Sequence, residues 1–409
     1  MHFNAASFEG LAFLLLVGLA VAIAAMTLYT IRVLTHPPRR TYASALARNR
    51  PGDPGELDRK LKWTAWDLRW RNLDLPVWDI EGEKPGGPII ILTHGWGDSR
   101  IGGLTRVPAL APMASRLILW DMPGHGEAKG TCTLGTHEVG ALEALIERVN
   151  APVVLYGWSL GAGVSIAADA GAIQAVIAEA PYRLPETPAR NVLRSYALPH
   201  RINLPLALWY LGARFGVGPL WKGFDRAAFA ARLQAPLLVI HGAEDLICPV
   251  EDSQRIANSA KHGTLVTVPG AGHHSLWTEP MSANVCAAAV THFLLALTQD
   301  GASAAQQADS PGLPAHWHRP NPSEADALTR QLREEMSPDH PLQGTEPQVV
   351  LRRHDCDDVL VELQDRRLAI VHLTWSRHHL VNRIRNSPPC PNSFFIESLD
   401  DLKDPDLRA

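Results

Sequence analysis

Residues 153–170 read Val-Val-Leu-Tyr-Gly-Trp-Ser-Leu-Gly-Ala-Gly-Val-Ser-Ile-Ala-Ala-Asp-Ala. Val153 to Tyr156 is an unbroken apolar run, as a strand covered on both faces requires. Ala162 to Ala170 is rich in small residues and reads as a helix. Between them lies Gly157-x-Ser159-x-Gly161, the pattern of a sharp strand-to-helix turn. Such a turn holds its serine in a strained backbone, and the flanking glycines admit a neighbouring chain at close range. The hydroxyl is thrust out at the sheet edge, beside a helix N-terminus that favours developing negative charge. A bare Gly-x-Ser-x-Gly recurs by chance; the strand before it and the helix after it give this one weight.

Outward from this turn the chain keeps a regular rhythm. Ile89–Thr93, Leu117–Trp120, Ala175–Ala178, Leu237–Ile240 and Thr264–Val268 are further apolar runs. Trp66 to Trp70 alternates with period two, as a half-exposed strand does. Helical stretches such as Thr136–Val149 and Glu251–Ala260 separate them. Strand and helix in alternation predict a doubly wound, mostly parallel α/β sheet. Residues 182–234 break the rhythm with an apolar stretch from Leu204 to Leu211 and read as a lid over the carboxyl edge of the sheet.

A serine is a poor nucleophile until a base takes its proton. On this architecture the acid and then the histidine follow the serine in the chain. The loop His241-Gly-Ala-Glu-Asp-Leu-Ile-Cys-Pro249 offers Asp245, and Gly270-Ala-Gly-His-His274 offers His273, directly after Gly272. His274 is the alternative base. Glu179, which ends an earlier strand, is the alternative acid. Thr93-His-Gly-Trp-Gly97 supplies a Gly-rich turn whose Trp96 amide, with the Leu160 amide, is expected to hold an oxyanion. Trp158 and His94 are expected to contact substrate.

These residues carry a resemblance. His94-Gly-Trp-Gly97, Asp121-Met-Pro-Gly-His-Gly126, Gly157-Trp-Ser-Leu-Gly161, His241-Gly-Ala-Glu-Asp245 and Gly272-His273 together resemble the α/β-hydrolase superfamily from Lys62 to about Thr298. Within it the chain is most similar to lysophospholipase-like and serine-aminopeptidase-like hydrolases. The resemblance implies an α/β-hydrolase fold and a cofactor-free, metal-free serine hydrolase with Ser159, His273 and Asp245 as its triad. The Asp121–Gly126 loop is structural in such proteins, so His125 is not a catalytic candidate. An ester or thioester with an apolar acyl or lipid group is the expected substrate. The alternatives are an aminopeptidase-like amide hydrolase and a non-catalytic scaffold.

Composition bounds the rest. The 409 residues are 46% apolar and 20% charged, enough to bury a sizeable core. Lys plus Arg (38) nearly balances Asp plus Glu (42), so no basic excess exists to bind nucleic acid. The five cysteines, Cys132, Cys248, Cys286, Cys356 and Cys390, form no CxxC, which leaves a disulfide framework or a zinc knot without support. Cys248 is expected to be packing and Cys132 to be exposed. His36, His316, His318, His378 and His379 are expected to face solvent.

Gly10 to Ile31 carries no charge over 22 residues. As a helix it would be about 33 Å long, matching the roughly 30 Å hydrocarbon core of a bilayer. No Lys or Arg precedes it and no small-x-small cleavage site follows, which favours a retained anchor over a signal peptide. Arg32, Arg39, Arg40, Arg48 and Arg50 follow it, so the positive-inside rule places the body in the cytoplasm; a bacterial inner membrane is the expected location. The expected organisation is a transmembrane anchor (1–35), a juxtamembrane linker (36–60), the hydrolase body (61–298), a Pro-rich linker (299–345) with one short helix begun by Ser323, and a small α+β domain (346–409). That last domain, with His372-Leu-Thr-Trp-Ser376, resembles a small bacterial domain of unknown function and is a candidate site for a protein partner.

Overall fold

The computed structural model describes residues 5–308, 317–353, 356–373, 393–396 and 398–403. The chain divides into two compact units, Met1–Leu294 and Leu295–Ala409. His316, His378, His379, Cys390 and the end of the predicted hairpin beyond Leu373 lie outside the described residues.

The first unit is built on an eight-stranded sheet. Its strands are β1 (Trp63–Trp70), β2 (Leu73–Glu81), β3 (Ile89–Thr93), β4 (Arg116–Trp120), β5 (Val153–Trp158), β6 (Ile173–Glu179), β7 (Leu237–Gly242) and β8 (Gly263–Val268). They lie in the order β1-β2-β4-β3-β5-β6-β7-β8. The pairs β1/β2 and β2/β4 are antiparallel, and from β4 onward every pair is parallel. Side chains alternate between the two faces of a strand, and here both faces are dry. Ile91, Ile118, Leu155 and Val176 enter one core cluster, while Ile90, Leu117, Val154 and Ile177 are equally buried on the other side. This is why the central strands read as continuous apolar runs.

Helices connect the strands. In chain order they are α1 (Ala5–Thr35), α2 (Tyr42–Leu46), the single turns α3 (Arg100–Gly103) and α4 (Val107–Leu110), α5 (Glu138–Val149), α6 (Leu160–Ala167), α7 (Glu186–Ser195), α8 (Asn203–Arg214), α9 (Arg226–Ala230) and α10 (Val250–Ser259). The predicted lid is thus α7, α8 and α9, all between β6 and β7. The chain passes into the second unit within α11 (Pro280–Ala308).

Among the described residues, two helices are long and apolar enough to cross a membrane by length and composition. They differ in what covers them. The first 18 residues of α11 bury one stripe, Cys286, Val290 and Leu294, whereas α1 from Leu11 to Leu19 is exposed almost throughout. From Ala22 onward α1 faces the lid, and near its end Thr30, Leu34 and Thr35 are buried in the body.

Residues 36–60 are not a free linker. The Arg39 guanidinium donates to the carbonyls of Gly126 (3.1 Å) and Ala128 (2.9 Å), and Arg40 pairs with Asp98 at 3.1 Å. The Trp96 indole N–H donates to the Leu34 carbonyl (3.0 Å) and the Cys132 amide to that of Thr35 (2.9 Å). Turn-rich, polar composition describes a strap bonded to backbone carbonyls as well as it describes a linker. Cys132, expected at the surface, is fully buried.

The second unit carries a five-stranded antiparallel sheet ordered β13-β12-β11-β10-β9. Its strands are β9 (Trp317–His318), β10 (Gln348–Arg353), β11 (Asp358–Glu362), β12 (Leu368–His372) and β13 (Ser393–Ile396), with helix α12 (Pro322–Glu335) before β10. The β11–β12 hairpin is the one expected around Gln364–Arg367. Leu328 and Leu332 of α12 pack with Val349, Val361 and Val371, while Trp317, Leu351 and Ile370 form a cluster on the alternate positions. The stretch 299–345 therefore contributes a strand and a 14-residue helix. That helix is capped by Asn321, which accepts from the Glu324 amide at 3.0 Å, and not by Ser323. Pro322 at the first helical position fits this start. His318 is buried in β9 and not solvent-facing.

Packing is tight at Gly161, where an added Cβ would run into the carbonyls of Thr93 and His94. Overpacking of this kind costs about 1–3 kcal/mol. Gly161→Ala is expected to lower Tm by several degrees in a thermal melt; an unchanged Tm would show that β3 can retreat.

Candidate active site

Ser159 sits between the last residue of β5 and the first of α6. Its backbone has φ 54° and ψ −114°, a region L-residues avoid. Two constraints hold it there. The Ser159 amide donates to the Glu179 carbonyl at 2.8 Å. At Gly157 a Cβ would strike the Gly161 carbonyl and at Gly161 one would strike the Thr93 carbonyl, so α6 can approach β5 and β3 only because both flanking residues are glycine.

The residues expected to act together come together. His273 Nε2 lies 3.1 Å from Ser159 Oγ, and His273 Nδ1 lies 2.7 Å from Asp245 Oδ2. Asp245 follows β7 and His273 follows β8, so adjacent parallel strands deliver both to the carboxyl edge of the sheet. The other Asp245 oxygen accepts the amides of Ile247 (2.8 Å) and Cys248 (2.9 Å). These bonds leave Oδ2 free to orient the imidazole. His274 stands ring-edge to His273, with centroids 5.0 Å apart, and makes no bond to Ser159 among the described residues.

Electrostatics favour a charged imidazole. Burial disfavours the imidazolium of His273, but the Cys248 sulfur and the Asp245 carboxylate beside it outweigh that, and its pKa is raised. Burial pushes Asp245 up, but bonding to His273 and to the Cys248 amide reverses this and keeps it below the usual carboxylate value. Burial raises the pKa of the Cys248 thiol.

Cys248 is a residue that sequence reasoning passed over as packing. It is fully buried, and its sulfur lies within 4.8 Å of ligand atoms of His273 and Asp245. Asp245, Cys248 and His273 each place one ligand atom within 4.8 Å of the others, the one such cluster among the described residues. A thiophilic cation held there would occupy the same imidazole and carboxylate.

The amides of Trp96 and Leu160 have no hydrogen-bond partner among the described residues. They flank Ser159 from the turn after β3 and from the first residue of α6, as an oxyanion pocket requires. Two cavities meet at Ser159 and His273. The larger, about 290 Å³, is walled by Leu34, Arg40, Trp96, Tyr182, Val192 and Ile247. The smaller, about 120 Å³, is walled by Trp96, Trp158, Arg106 and Trp277 among others. Trp158 thus reaches a cavity as expected; its indole N–H donates to Asp98 at 3.3 Å, and Asp98 is the partner of Arg40.

His94 does not reach either cavity. It is fully buried, its Nδ1 bonds the Gly95 carbonyl at 2.9 Å, and its Nε2 accepts the Met122 amide at 2.9 Å. Both ring nitrogens brace the two loops, so the expected substrate contact is corrected to a structural one. Glu179 is structural too. Arg106 grips it with two bonds (2.9 and 2.5 Å), and the Tyr156 hydroxyl (2.7 Å) and Trp277 indole (2.9 Å) donate to the same carboxylate. Glu179 therefore has no free oxygen for an imidazole.

Residues 90–289 match the model of the alpha/beta hydrolase family. The chain carries an alpha/beta hydrolase domain. Solved structures similar to it include an esterase of Pyrococcus furiosus, 20% identical, with a TM-score of 0.49 over 64% of this chain and 97% of that one. A thermophilic esterase from Thermogutta terrifontis is 18% identical, with a TM-score of 0.43 over 58% and 99%. A bacterial membrane phospholipase A is 18% identical, with a TM-score of 0.46 over 70% and 99%. No curated protein matches the chain.

Glu179→Gln and Asp245→Asn should separate the two carboxylates. The first strands a buried guanidinium and is expected to cost about 3–5 kcal/mol of stability, with residual folded protein still reacting at Ser159. The second is expected to cost little stability and to lower kcat about 10⁴-fold, the loss seen for the equivalent change in a serine protease. Comparable effects of the two on kcat would return Glu179 to candidacy.

The raised His273 pKa also has a sign. The base must be neutral to take a proton, so kcat/KM should climb with pH through a limb lying above 6.5, the ordinary value. Asp245→Asn removes the charge that favours the imidazolium, so that limb should move to lower pH. A limb at or below 6.5 in the wild type would contradict the shift.

Proposed function

We propose that the chain is a membrane-anchored serine hydrolase that cleaves an ester or thioester of an apolar acyl group through an acyl-enzyme. The observation that carries this reading is the continuous bond path from Asp245 through His273 to Ser159, at 2.7 and 3.1 Å. Ser159 attacks the acyl carbonyl carbon while His273 Nε2 takes its proton. The Trp96 and Leu160 amides hold the oxyanion, and Asp245 fixes the tautomer and supports the imidazolium. Collapse expels the leaving group, which takes the proton from His273. Water activated by the same histidine then releases the acid.

An apolar acyl group suits the larger cavity. Leu34, Tyr182, Ala189, Val192 and Ile247 face it, and a bound chain would leave water for a mainly apolar wall. Arg40 and Arg48 stand at the same cavity and suit a polar or anionic end of the substrate. The α1 segment Glu9–Thr35 serves as a single-pass anchor, with the arginines after it on the cytoplasmic side of the inner membrane of a bacterium. Neither a cofactor nor a metal takes part in these steps.

A series of p-nitrophenyl esters of increasing chain length tests the reading. Each methylene that enters the cavity contributes about 0.8 kcal/mol, so kcat/KM should rise up to about fourfold per carbon until the cavity is full. Ser159→Ala should abolish this turnover, by about 10⁶-fold in kcat. A flat chain-length profile would refute the acyl assignment, and turnover surviving in Ser159→Ala would refute the nucleophile.

A further inference from the structure

The lid helix α8 is apolar on every side. Asn203, Leu204, Ala207, Leu208, Leu211 and Gly212 are buried in the body, while Pro205, Leu206, Trp209, Tyr210 and Ala213 are exposed. The exposed set recurs at the spacing of one helix face, with no charge on it until Arg214 at the last turn. An ordinary surface helix sets charged residues there. Ile202, just before α8, and Leu220, just after it, extend the patch and are exposed as well.

This face lies beside the anchor. Helix α8 packs against α1, and the Asn203 side-chain amide donates to the Thr30 hydroxyl at 2.6 Å. An open trough of about 570 Å³ runs between Ala22, Ile23 and Met26 of α1 and the segment Ala197–Asn203. Contact with the lid therefore begins at Ala22, part-way along the charge-free stretch that ends at Ile31. The part of that stretch clear of the lid, Gly10 to Val21, is 12 residues, about 18 Å as helix. A hydrocarbon core is roughly 30 Å thick. A bilayer that covers α1 must then also reach the lid. Arg194, Arg201 and Lys222 are exposed around the patch, the charge that anionic headgroups attract.

We propose that α8 and the segment before it form a second membrane contact, lying in the plane of an anionic phospholipid leaflet at the boundary of headgroups and chains. The larger cavity is walled both by the end of α1 (Leu34) and by α7 of the lid (Ala189 and Val192). Seating the lid in the leaflet turns that cavity toward the lipid, so an acyl substrate enters from the leaflet and not from water. This inference rests on the anchored-hydrolase reading above and adds to it the surface from which substrate arrives.

The test uses the full chain in vesicles of phosphatidylcholine with and without phosphatidylglycerol. A fluorescent probe is placed by Leu206→Cys on a background with Cys356→Ser and Cys390→Ser. Nitroxides on the lipid chains should quench it, aqueous iodide should not, and phosphatidylglycerol should deepen the protection. In parallel, Trp209→Glu should lose at least tenfold in kcat/KM on a long-chain ester embedded in the vesicles. The same variant should keep its turnover of a short soluble ester within about twofold. A probe open to iodide, or vesicle turnover unaffected by Trp209→Glu, overturns the docking face while α1 stays resistant to carbonate. Release of the wild type by carbonate overturns the anchor and the docking face together. Loss of short-ester turnover in wild type overturns the hydrolase reading, with the probe still reporting on the lid.

Discussion

The backbone of Ser159 is the constraint on which the first unit is organised. A left-handed φ on a residue with a side chain is unfavourable by itself and persists only where its surroundings over-determine it. Here the surroundings are β5, α6, β3 and the Glu179 carbonyl, brought within reach by two residues that lack a Cβ, Gly157 and Gly161. Because β5 lies at the centre of the sheet between β3 and β6, the turns after its neighbours surround the serine. The Trp96 amide arrives from one side, and Asp245 and His273 from the strands on the other. Strand order thus gathers amides, a carboxylate and an imidazole around a single strained turn.

Charge is handled around this turn by burying it in pairs. Glu179 carries four donors, two of them from Arg106, whose guanidinium also lies 4.1 Å over the Trp158 ring. Asp121 is gripped by Arg100 and by the amides of Arg100 and Glu127. A buried pair of this kind contributes little net stability, but losing one partner is costly. The two pairs hold the turns after β3, β4 and β6 in place beneath the serine. Beyond them the strap from Leu34 to Arg48 closes the site from above, tying the end of α1 to Trp96 and, through Arg40 and Asp98, to Trp158. Helix α1 is therefore structurally continuous with the cavity wall.

Much of this was legible in the sequence, and the reasons are local. Central strands buried on both faces must be apolar throughout, so Ile89–Thr93 and Val153–Tyr156 announce themselves. The glycines around Ser159, and Asp245 and His273 in post-strand loops, are residues for which few substitutes serve. What could not be read depends on contacts distant along the chain. Arg39 binds carbonyls of Gly126 and Ala128, and any residue supplies a carbonyl, so the strap looked like a linker. His94 sits in a motif beside Ser159, yet its nitrogens are taken by Gly95 and Met122. Cys248 looked like packing because nothing in its spacing from Asp245 reveals that its sulfur lies within 4.8 Å of ligand atoms of His273 and Asp245. In the second unit, Asn321 and Ser323 are both competent caps, and only the Glu324 amide decides between them.

The central claim is that Ser159 is an activated nucleophile. It is tested most directly by treating the full-length wild type with a fluorophosphonate and mapping the adduct by tandem mass spectrometry. The account predicts one adduct, on the peptide containing Ser159, formed at a rate that collapses in His273→Ala. A well-folded wild type that takes up no label, or that takes it up on another residue, would contradict it.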